Sequence, residues 1–238
     1  MQDSDVERVL AVMAHPDDVD FGAAGTIAQL TKAGVEVSYC IVTNGDAGGF
    51  DPSVPRSDIA GIRQAEQRAA AEEVGVTDVR FLGYPDGRVE VSLDLRREIA
   101  AVIRDVRPQR VIGQSPERNM VRIPASHPDH IAVGEATMCA VYPDARNPFT
   151  FRELVTDEGL AAWTVSEVWV TAGPTPNHFV DVTETFPRKV AALRAHESQT
   201  AHLPDLEDIL RRRLAGVAAQ AGWPDGRMAE GFQVLDTA

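Results

Sequence analysis

Apolar residues along the chain are grouped in two ways that alternate from one segment to the next. Short runs rich in Val and Ile, such as 9–14 and 35–43, predict buried strands because they lack the strict alternation of half-exposed ones. Longer segments with a helical period lie between these runs. The predicted strands are 9–14, 35–43, 79–83, 110–113, 167–171 and 179–182, and the predicted helices are 20–32, 59–73, 93–106, 129–141, 185–197 and 205–221.

Strands and helices that take turns along a chain are typical of βαβ units. The pattern predicts an α/β fold, a Rossmann-like and mainly parallel sheet with helices on both faces. We expect one domain over 1–238, with a core over about 8–200 and a helical extension over about 203–238. Long loops are predicted at 44–56, 114–128 and 172–177. Ligands of open α/β sheets bind beyond the carboxyl ends of the strands, so residues just after the strands are the candidates for chemistry.

The composition restricts the kinds of molecule that the protein is expected to bind. The chain has 36 acidic and 23 basic residues and a formal net charge of −13. Such a surface repels phosphate backbones and anionic lipid, which disfavours binding to nucleic acid or to a membrane surface. The sequence also lacks a run of roughly 20 apolar residues and a secretory signal pattern, so we expect no membrane insertion and a cytoplasmic protein. Cys40 and Cys139 lie in apolar stretches and are expected to be buried free thiols.

The usual α/β signatures of nucleotide and serine chemistry are absent from the sequence. Dinucleotide-binding proteins carry G-x-G-x-x-G after the first strand and nucleotide hydrolases carry G-x-x-x-x-G-K-[ST], whereas this chain has HPDDVDFGAAG at 15–25. The nucleophile elbow G-x-S-x-G and the zinc motif H-E-x-x-H are also missing. Nucleotide-cofactor chemistry and serine-nucleophile chemistry are therefore disfavoured.

A histidine and two acids follow the first predicted strand directly. His15, Asp17 and Asp18 lie within four residues, and burying them together is costly unless something neutralises the charge, as a divalent metal does. The fixed φ of Pro16 makes the side chains diverge from one tight bend. One acid can then join His15 on a metal while the other faces the open coordination position. The alternative is that Asp17, Asp18 or Asp20 only caps the following helix.

A second polar cluster, S-H-P-D-H at 126–130, opens a predicted helix after a long loop. Pro128 suits the first helical turn, and His127 and His130 are three residues apart, so they can share one face of that turn. Alone, the two histidines could simply be solvated. Together, the two clusters supply two histidine ligands and one carboxylate and leave an acid and a histidine free, as in a catalytic zinc site with an open position.

Two other readings of these clusters remain open at this stage. The same ligands also suit ferrous iron, and His15 and Asp17 have the H-x-D spacing of many non-haem iron oxygenases. Those sites typically occupy jelly-roll barrels, whereas this chain alternates strands and helices. A metal-dependent carbohydrate-binding module without catalysis is the other alternative, and it offers no role for the spare acid.

Six segments carry a family signal in their order along the chain. They are AHPDD at 14–18, TNGDAGG at 43–49, R-x-x-E at 63–66, LGYPDG at 82–87, HPDH at 127–130 and a late motif with D-V-T, K and AHESQ between 181 and 199. With these segments the chain resembles the PIG-L/LmbE-like zinc-dependent de-N-acetylases over about residues 8–200. The combination of AHPDD with a downstream HPDH is the specific part of this resemblance.

The resemblance implies a metal-dependent hydrolase that removes an N-acetyl group from an N-acetylglucosamine-type sugar conjugate, releasing acetate and a free amine. A zinc amidase that acts on a longer acyl amide is the alternative. The implied cofactor is zinc, with ferrous iron as the alternative. The implied partner is a small N-acetylated sugar conjugate, and assembly into a homo-oligomer is compatible with the resemblance.

The resemblance also implies roles for individual residues. Asp129 is expected to orient a neighbouring histidine, and protonated His127 to stabilise the oxyanion of the reaction. Arg63 could instead only pair with Glu66, and Asp86 could only form a turn. The implied metal ligands are His15, Asp18 and His130, the general base is Asp17, the second catalytic histidine is His127, the sugar contacts are Asp46, Arg63 and Asp86, and structural support comes from His196 and Gln199.

Overall fold

The computed structural model describes residues 5–238, and within them seven strands form one sheet. The strands are β1 (Arg8–Met13), β2 (Glu36–Thr43), β3 (Asp78–Tyr84), β4 (Arg110–Gln114), β5 (Glu167–Thr171), β6 (His178–Asp181) and β7 (Ala229–Asp236). The helices are α1 (Asp18–Lys32), α2 (Arg56–Glu73), α3 (Leu93–Val106), α4 (Pro128–Cys139), α5 (Arg152–Thr156), α6 (Phe186–Ala195), α7 (Glu197–Thr200) and α8 (Leu206–Gln220). Six of the strands and six of the helices lie where the hydrophobic pattern predicts them.

The strand order across the sheet is β3-β2-β1-β4-β5-β7-β6. The first five of these strands run parallel to their neighbours. From β1 the chain moves outward to β2 and β3, and it then returns to the other side of β1 to form β4. The connections that leave β1 and β4 therefore diverge and open a crevice at the carboxyl ends of these two strands. The predicted α/β fold, Rossmann-like and mainly parallel, is confirmed.

The sheet is covered on both faces because successive residues of its strands point to opposite sides. In β1, Val9, Ala11 and Met13 pack with residues of α1 and α2 in one core cluster. Leu10 and Val12 pack with residues of α3 and α4 in a second cluster. All five side chains are fully buried, which explains why β1 appears in the sequence as a continuous apolar run.

The C-terminal segment is only partly helical, which corrects the predicted helical extension over 203–238. It contains helix α8 and then strand β7, which lies between β5 and β6 and is antiparallel to both. The hydrophobic pattern missed β7 because the strand buries Glu230 and contains Gly231. Within residues 5–238, no helix combines the length and the apolar character that crossing a membrane requires.

Candidate metal and catalytic site

The chain makes a tight bend where β1 ends and α1 begins. Asp17 has a φ of +90°, in the left-handed region, which costs a non-glycine residue of the order of 1–3 kcal/mol unless its surroundings hold it there. The Asp17 N–H donates to Gln67 Oε1 at 2.8 Å, and the carbonyl of Pro16 accepts a hydrogen bond from Arg63. Helix α2 therefore holds the strained bend in place.

The bend sends the two adjacent acids in different directions. Asp18 Oδ2 lies 3.2 Å from His15 Nδ1 and accepts the backbone N–H of His15 at 2.8 Å. Asp17 Oδ2 instead lies 3.1 Å from Arg63 Nη2. Asp17 makes no side-chain cap of α1, and the Asp20 side chain bonds to residues of other elements. The capping alternative therefore does not account for this cluster.

The second cluster lies at the start of α4, which follows β4. Pro128 occupies the first turn of the helix, and His127 immediately precedes it. A Cβ on Gly134 would lie 2.6 Å from the Gln114 carbonyl oxygen, so only a glycine lets α4 approach the end of β4 this closely. This contact brings His127 and His130 to the crevice beside β1.

The donor atoms of His15, Asp18 and His130 converge on one point. His15 Nδ1 and His130 Nε2 are 3.2 Å apart, and His130 Nε2 lies 3.1 Å from Asp18 Oδ1. Ligands bound to one tetrahedral zinc ion at about 2.0–2.1 Å are separated by about 3.3 Å, so these distances suit a single small ion. The ring nitrogens of His15, His127 and His130 also lie within 4.8 Å of one another.

The second ring nitrogen of His15 and that of His130 each face a hydrogen-bond acceptor. His15 Nε2 lies 3.0 Å from Asp129 Oδ2, and His130 Nδ1 lies 3.4 Å from the carbonyl oxygen of Ala125. These contacts assign the protons to Nε2 of His15 and Nδ1 of His130, which leaves His15 Nδ1 and His130 Nε2 unprotonated. Both rings therefore present a lone pair to the same point. The predicted position of Asp129 beside a histidine agrees with this contact.

The electrostatics of the cluster favour an added positive charge. Burial opposes protonation of His15, but hydrogen bonds with Asp129, Asp18 and Asp86 outweigh it and raise the pKa of His15 to about 12. Burial likewise opposes ionisation of Asp18, but the charge and hydrogen bond of His130 hold its pKa well below the usual range. The residues fit a divalent cation, because such an ion supplies this positive charge while both rings stay neutral.

His127 lies beside the convergence point and makes a different contact. Its Nδ1 accepts the backbone N–H of Asp129 at 3.2 Å, which places the proton of the neutral ring on Nε2. Burial, and next the positive charge on His15, lower the pKa of His127 below its ordinary value of 6.5. A lowered pKa favours a neutral ring, whereas the resemblance implies a protonated one, so the protonation state of His127 during the reaction stays a prediction.

The Asp17 side chain is partly buried beside the candidate metal ligands. Burial raises the pKa of Asp17 to about 6, against the opposing charge of Arg63. Arg63 also donates to the Gly45 carbonyl at 3.1 Å, and a Cβ on Gly48 would overlap its guanidinium. The glycines of the TNGDAGG loop therefore allow this loop to close over Arg63.

The three predicted sugar contacts form one chain of interactions that ends at His15. Asp86 Oδ1 lies 3.2 Å from His15 Nε2, and its Oδ2 lies 3.7 Å from Arg63 Nη1. Asp46 Oδ1 accepts the Asp86 N–H at 2.9 Å. Glu66 does not pair with Arg63, because both of its oxygens accept hydrogen bonds from Ser198. Contact between Asp46, Arg63 or Asp86 and a sugar stays a prediction.

A buried support behind Asp17 was not predicted in full from the sequence. Asp20 Oδ2 accepts hydrogen bonds from Gln67 Nε2 at 2.9 Å and from His196 Nε2 at 2.8 Å, and all three residues are fully buried. Gln67 bonds in turn to the Asp17 backbone. The AHESQ motif pointed to a structural role for His196, which agrees with this position. Gln67 directly follows R-x-x-E, but the motif gives no sign of its contact with Asp17.

Comparison with known proteins identifies the family. The family model described as GlcNAc-PI de-N-acetylase, PIG-L, matches residues 10–141, a segment that contains all the residues of the metal and catalytic cluster. The chain belongs to the PIG-L family.

Individual PIG-L relatives match nearly the whole chain. Diacetylchitobiose deacetylase of Thermococcus kodakarensis is 32% identical, over 98% of this chain and 84% of the relative. A Bacillus cereus protein named probable N-acetyl-alpha-D-glucosaminyl L-malate deacetylase 2 is 35% identical, over 91% and 93%. The structure of N,N'-diacetylchitobiose deacetylase from Pyrococcus horikoshii superposes with a TM-score of 0.89 at 29% identity, covering 98% of this chain and 85% of that one.

Proposed function

We propose that this protein is a metal-dependent hydrolase that removes the N-acetyl group from an N-acetylglucosamine-type conjugate and releases acetate and a free amine. The observation that carries the proposal is the convergence of His15 Nδ1, His130 Nε2 and the Asp18 carboxylate within 3.2 Å, with Asp17 directed elsewhere. The deacetylase names of the relatives support the same reaction class.

His15, Asp18 and His130 would hold the ion, which we propose to be zinc, because two imidazoles and one carboxylate form a typical catalytic zinc donor set. A bound zinc ion lowers the pKa of water and polarises a carbonyl group. Asp129 keeps the His15 ring oriented through Nε2, and the Ala125 carbonyl does the same for His130 through Nδ1.

Asp17 is the proposed general base. Its Oδ2 is held by Arg63 Nη2 at 3.1 Å, so Oδ1 is available to take a proton from the attacking water. Arg63 is almost fully buried, and its contacts with Asp17 and the Pro16 carbonyl favour a role in positioning the base. A carboxylate whose pKa is raised toward neutrality is also the better proton acceptor at physiological pH.

His127 is the proposed hydrogen-bond donor to the acetamide oxygen. Because its Nδ1 accepts the Asp129 N–H, the Nε2–H group points away from α4 and can donate to an oxygen that gains negative charge. The departing nitrogen also needs a proton, for which Asp17 Oδ1 and His127 Nε2 are the candidate donors. This proposal uses His127 as a neutral donor.

The reaction is tested by measuring acetate and free amine released from N,N'-diacetylchitobiose and from N-acetylglucosaminyl malate. We expect stoichiometric release, loss of activity after treatment with a chelator, and recovery on addition of zinc. Metal analysis of the purified protein is expected to give about one ion per chain, and the His130→Ala variant should lose most of it. Full activity in protein shown to be free of metal would contradict the proposal.

Two further measurements separate the alternatives. Substrates with acetyl and longer acyl groups on the same amine distinguish a deacetylase from an amidase for longer chains. An anaerobic assay distinguishes hydrolysis from an iron oxygenase, because hydrolysis needs no oxygen. Binding of the conjugate without release of any acid would instead indicate a non-catalytic sugar-binding module.

A further inference from the structure

A cavity of about 380 Å³ lies at the same edge of the sheet as the metal cluster. Its walls come from the first turns of α1, the loop after β4, the loop after β5, helix α8 and the start of β7. The lining residues include Phe21, Gly22, Asn119, Arg122, Arg213 and Glu230. The cavity is therefore one strand away from the crevice between β1 and β4, on the β5 side.

Two arginines in this cavity have no protein partner among residues 5–238. Neither the Arg122 nor the Arg213 side chain has a hydrogen bond or an ion pair within that part of the chain. The carboxylate of Glu230 also lines the cavity, but it is 2% exposed and bonds to Lys189 and to the backbone of α1. Burial, and next the charge of Arg122, lower the pKa of Arg213 to about 10, so both side chains remain cationic at pH 7.

Two arginine side chains without an ion pair are unusual in a protein with a net charge of −13. A larger cavity, of about 920 Å³, lies at the opposite edge of the sheet, and its arginines are occupied. Arg80 bonds there to Asp78 and Asp105, and Arg107 stacks on Trp163. The charges of Arg122 and Arg213 oppose each other, and the nearby Glu230 carboxylate is already taken up by Lys189 and the backbone of α1, so a bound anion would relieve the repulsion.

The loop after β4 connects the arginine cavity to the catalytic residues. Asn119 Oδ1 accepts the backbone N–H of Arg122 at 3.1 Å, and the Asn119 N–H donates to Ser126 Oγ at 2.7 Å. Ser126 directly precedes His127, and Gly22 lies one turn beyond Asp18 in α1. The loop after β4 therefore lines the cavity with Asn119 and Arg122 and leads directly to His127, so the cavity and the candidate catalytic site share this loop.

We propose that Arg122 and Arg213 form a subsite for an anionic group, a carboxylate or a phosphate, in the part of the substrate beyond the N-acetylated sugar. This inference rests on the proposed deacetylase function. Guanidinium groups bind both kinds of anion through paired charge-assisted hydrogen bonds. The substrate class would then be N-acetylglucosamine joined to an acidic group rather than a neutral oligosaccharide.

The kinetic test compares N-acetylglucosaminyl malate, N-acetylglucosamine 1-phosphate and the neutral N,N'-diacetylchitobiose. We expect Arg122→Gln and Arg213→Gln each to lower kcat/KM for the two anionic substrates about tenfold or more, mainly through KM, and to change the value for the neutral substrate less than about threefold. Arg212→Gln, an exposed neighbour on α8, is the matched control and should change neither. An equal loss for anionic and neutral substrates, or no loss, would overturn the proposal.

A binding test separates this inference from the proposed function. Calorimetric titration of the metal-loaded protein with L-malate and with inorganic phosphate should show binding that Arg122→Gln, on an exposed loop, weakens and Arg212→Gln leaves unchanged. Arginine-dependent binding combined with no acetate release from any substrate would contradict the deacetylase function and leave the anion site standing. Arginine-dependent phosphate binding without any preference for anionic substrates would assign the cavity to free anions and overturn the substrate subsite.

Discussion

Two buried clusters of charged side chains contact helix α1, and they differ in how their charges are balanced. The first, the acid-rich cluster, lies at the start of the helix and comprises Asp17, Asp18, Asp86 and Asp129 around His15. The second, the closed cluster, lies along the buried side of α1 and comprises Lys189, Glu230 and Thr26.

The closed cluster satisfies its own charges and hydrogen bonds. Lys189 Nζ lies 2.7 Å from Glu230 Oε1 and also donates to the carbonyls of Asp20 and Phe21. Glu230 accepts the backbone N–H of Gly25 and, on its other oxygen, the N–H and hydroxyl of Thr26. The closed cluster joins α1, α6 and β7 and is shielded from solvent, so it has a structural role.

The acid-rich cluster holds several carboxylates around two imidazoles and one guanidinium, and its free lone pairs point at one position. Burial of charge alone therefore does not identify a functional site. A balanced and saturated cluster stabilises the fold, whereas a cluster with excess carboxylates and converging donors needs a cation from outside. Substitutions in the two clusters are therefore expected to have opposite consequences.

The largest expected effect is the loss of turnover in Asp17→Asn. Removing the general base should lower kcat about 10²- to 10⁴-fold while the metal content stays near that of the wild type. Burial disfavours the Asp17 carboxylate in the folded state, so the variant should not lower the free energy of unfolding of the metal-free protein. Steady-state kinetics, metal analysis and denaturant unfolding measure the three quantities. A stable variant with normal kcat would remove Asp17 as the base.

In the closed cluster, Lys189→Met should act on stability instead. It leaves the Glu230 carboxylate buried without its cation, which is expected to lower the free energy of unfolding by about 3–5 kcal/mol. Adding Glu230→Gln should recover part of this loss, and Lys32→Met, at an exposed position, is the control. Denaturant titration gives these values. If Lys189→Met proved as stable as Lys32→Met, the contrast between the clusters would fail.

A smaller effect is expected from Gln67→Met, because Gln67 links the Asp17 backbone to the buried Asp20 carboxylate. The variant removes the acceptor for the Asp17 N–H and the donor to Asp20, so the left-handed bend loses its restraint. We expect a loss of about 1–3 kcal/mol in the free energy of unfolding and a fall in kcat with KM and metal content unchanged. Gln64→Met, on the same helix, serves as the control. A rise in KM at constant kcat would indicate that Gln67 does not position the base.

The smallest expected effect is a pH dependence of stability through His196. Burial lowers its pKa, but the hydrogen bond and charge of Asp20 outweigh this and hold the pKa above the ordinary 6.5. The protonated ring therefore stabilises the folded state fully below pH 6.5, and this contribution is lost as pH rises through the folded-state pKa. The stability difference between wild type and His196→Gln should narrow as the pH rises from 6.5 through the folded-state pKa of His196. A difference that stays constant over this range would exclude the ion pair with Asp20.

The central parallel strands β1, β4 and β5 could be predicted from the sequence because they are buried on both faces of the sheet. Residues 9–13 appear as one apolar run, and the helices beside them keep a regular period, so hydrophobicity alone marks these elements. Strand β7 could not be recognised from hydrophobicity in this way. Its inward-facing Glu230 is paired with Lys189, 41 residues earlier, and no local pattern reports a partner at that distance.

The candidate site shows the same division. The sequence by itself determined which side chains follow β1 and which lie at the start of α4. Each motif is one short stretch of the chain, with HPDD at the end of β1 and HPDH at the beginning of α4. Only the tertiary structure decided that Asp18 faces His15 and His130 while Asp17 faces Arg63, and that burial lowers the pKa of His127. Those outcomes depend on a strained bend held by Gln67 and on contacts between residues 46 to 115 positions apart, which arise only when the sheet brings β1, α2 and α4 together.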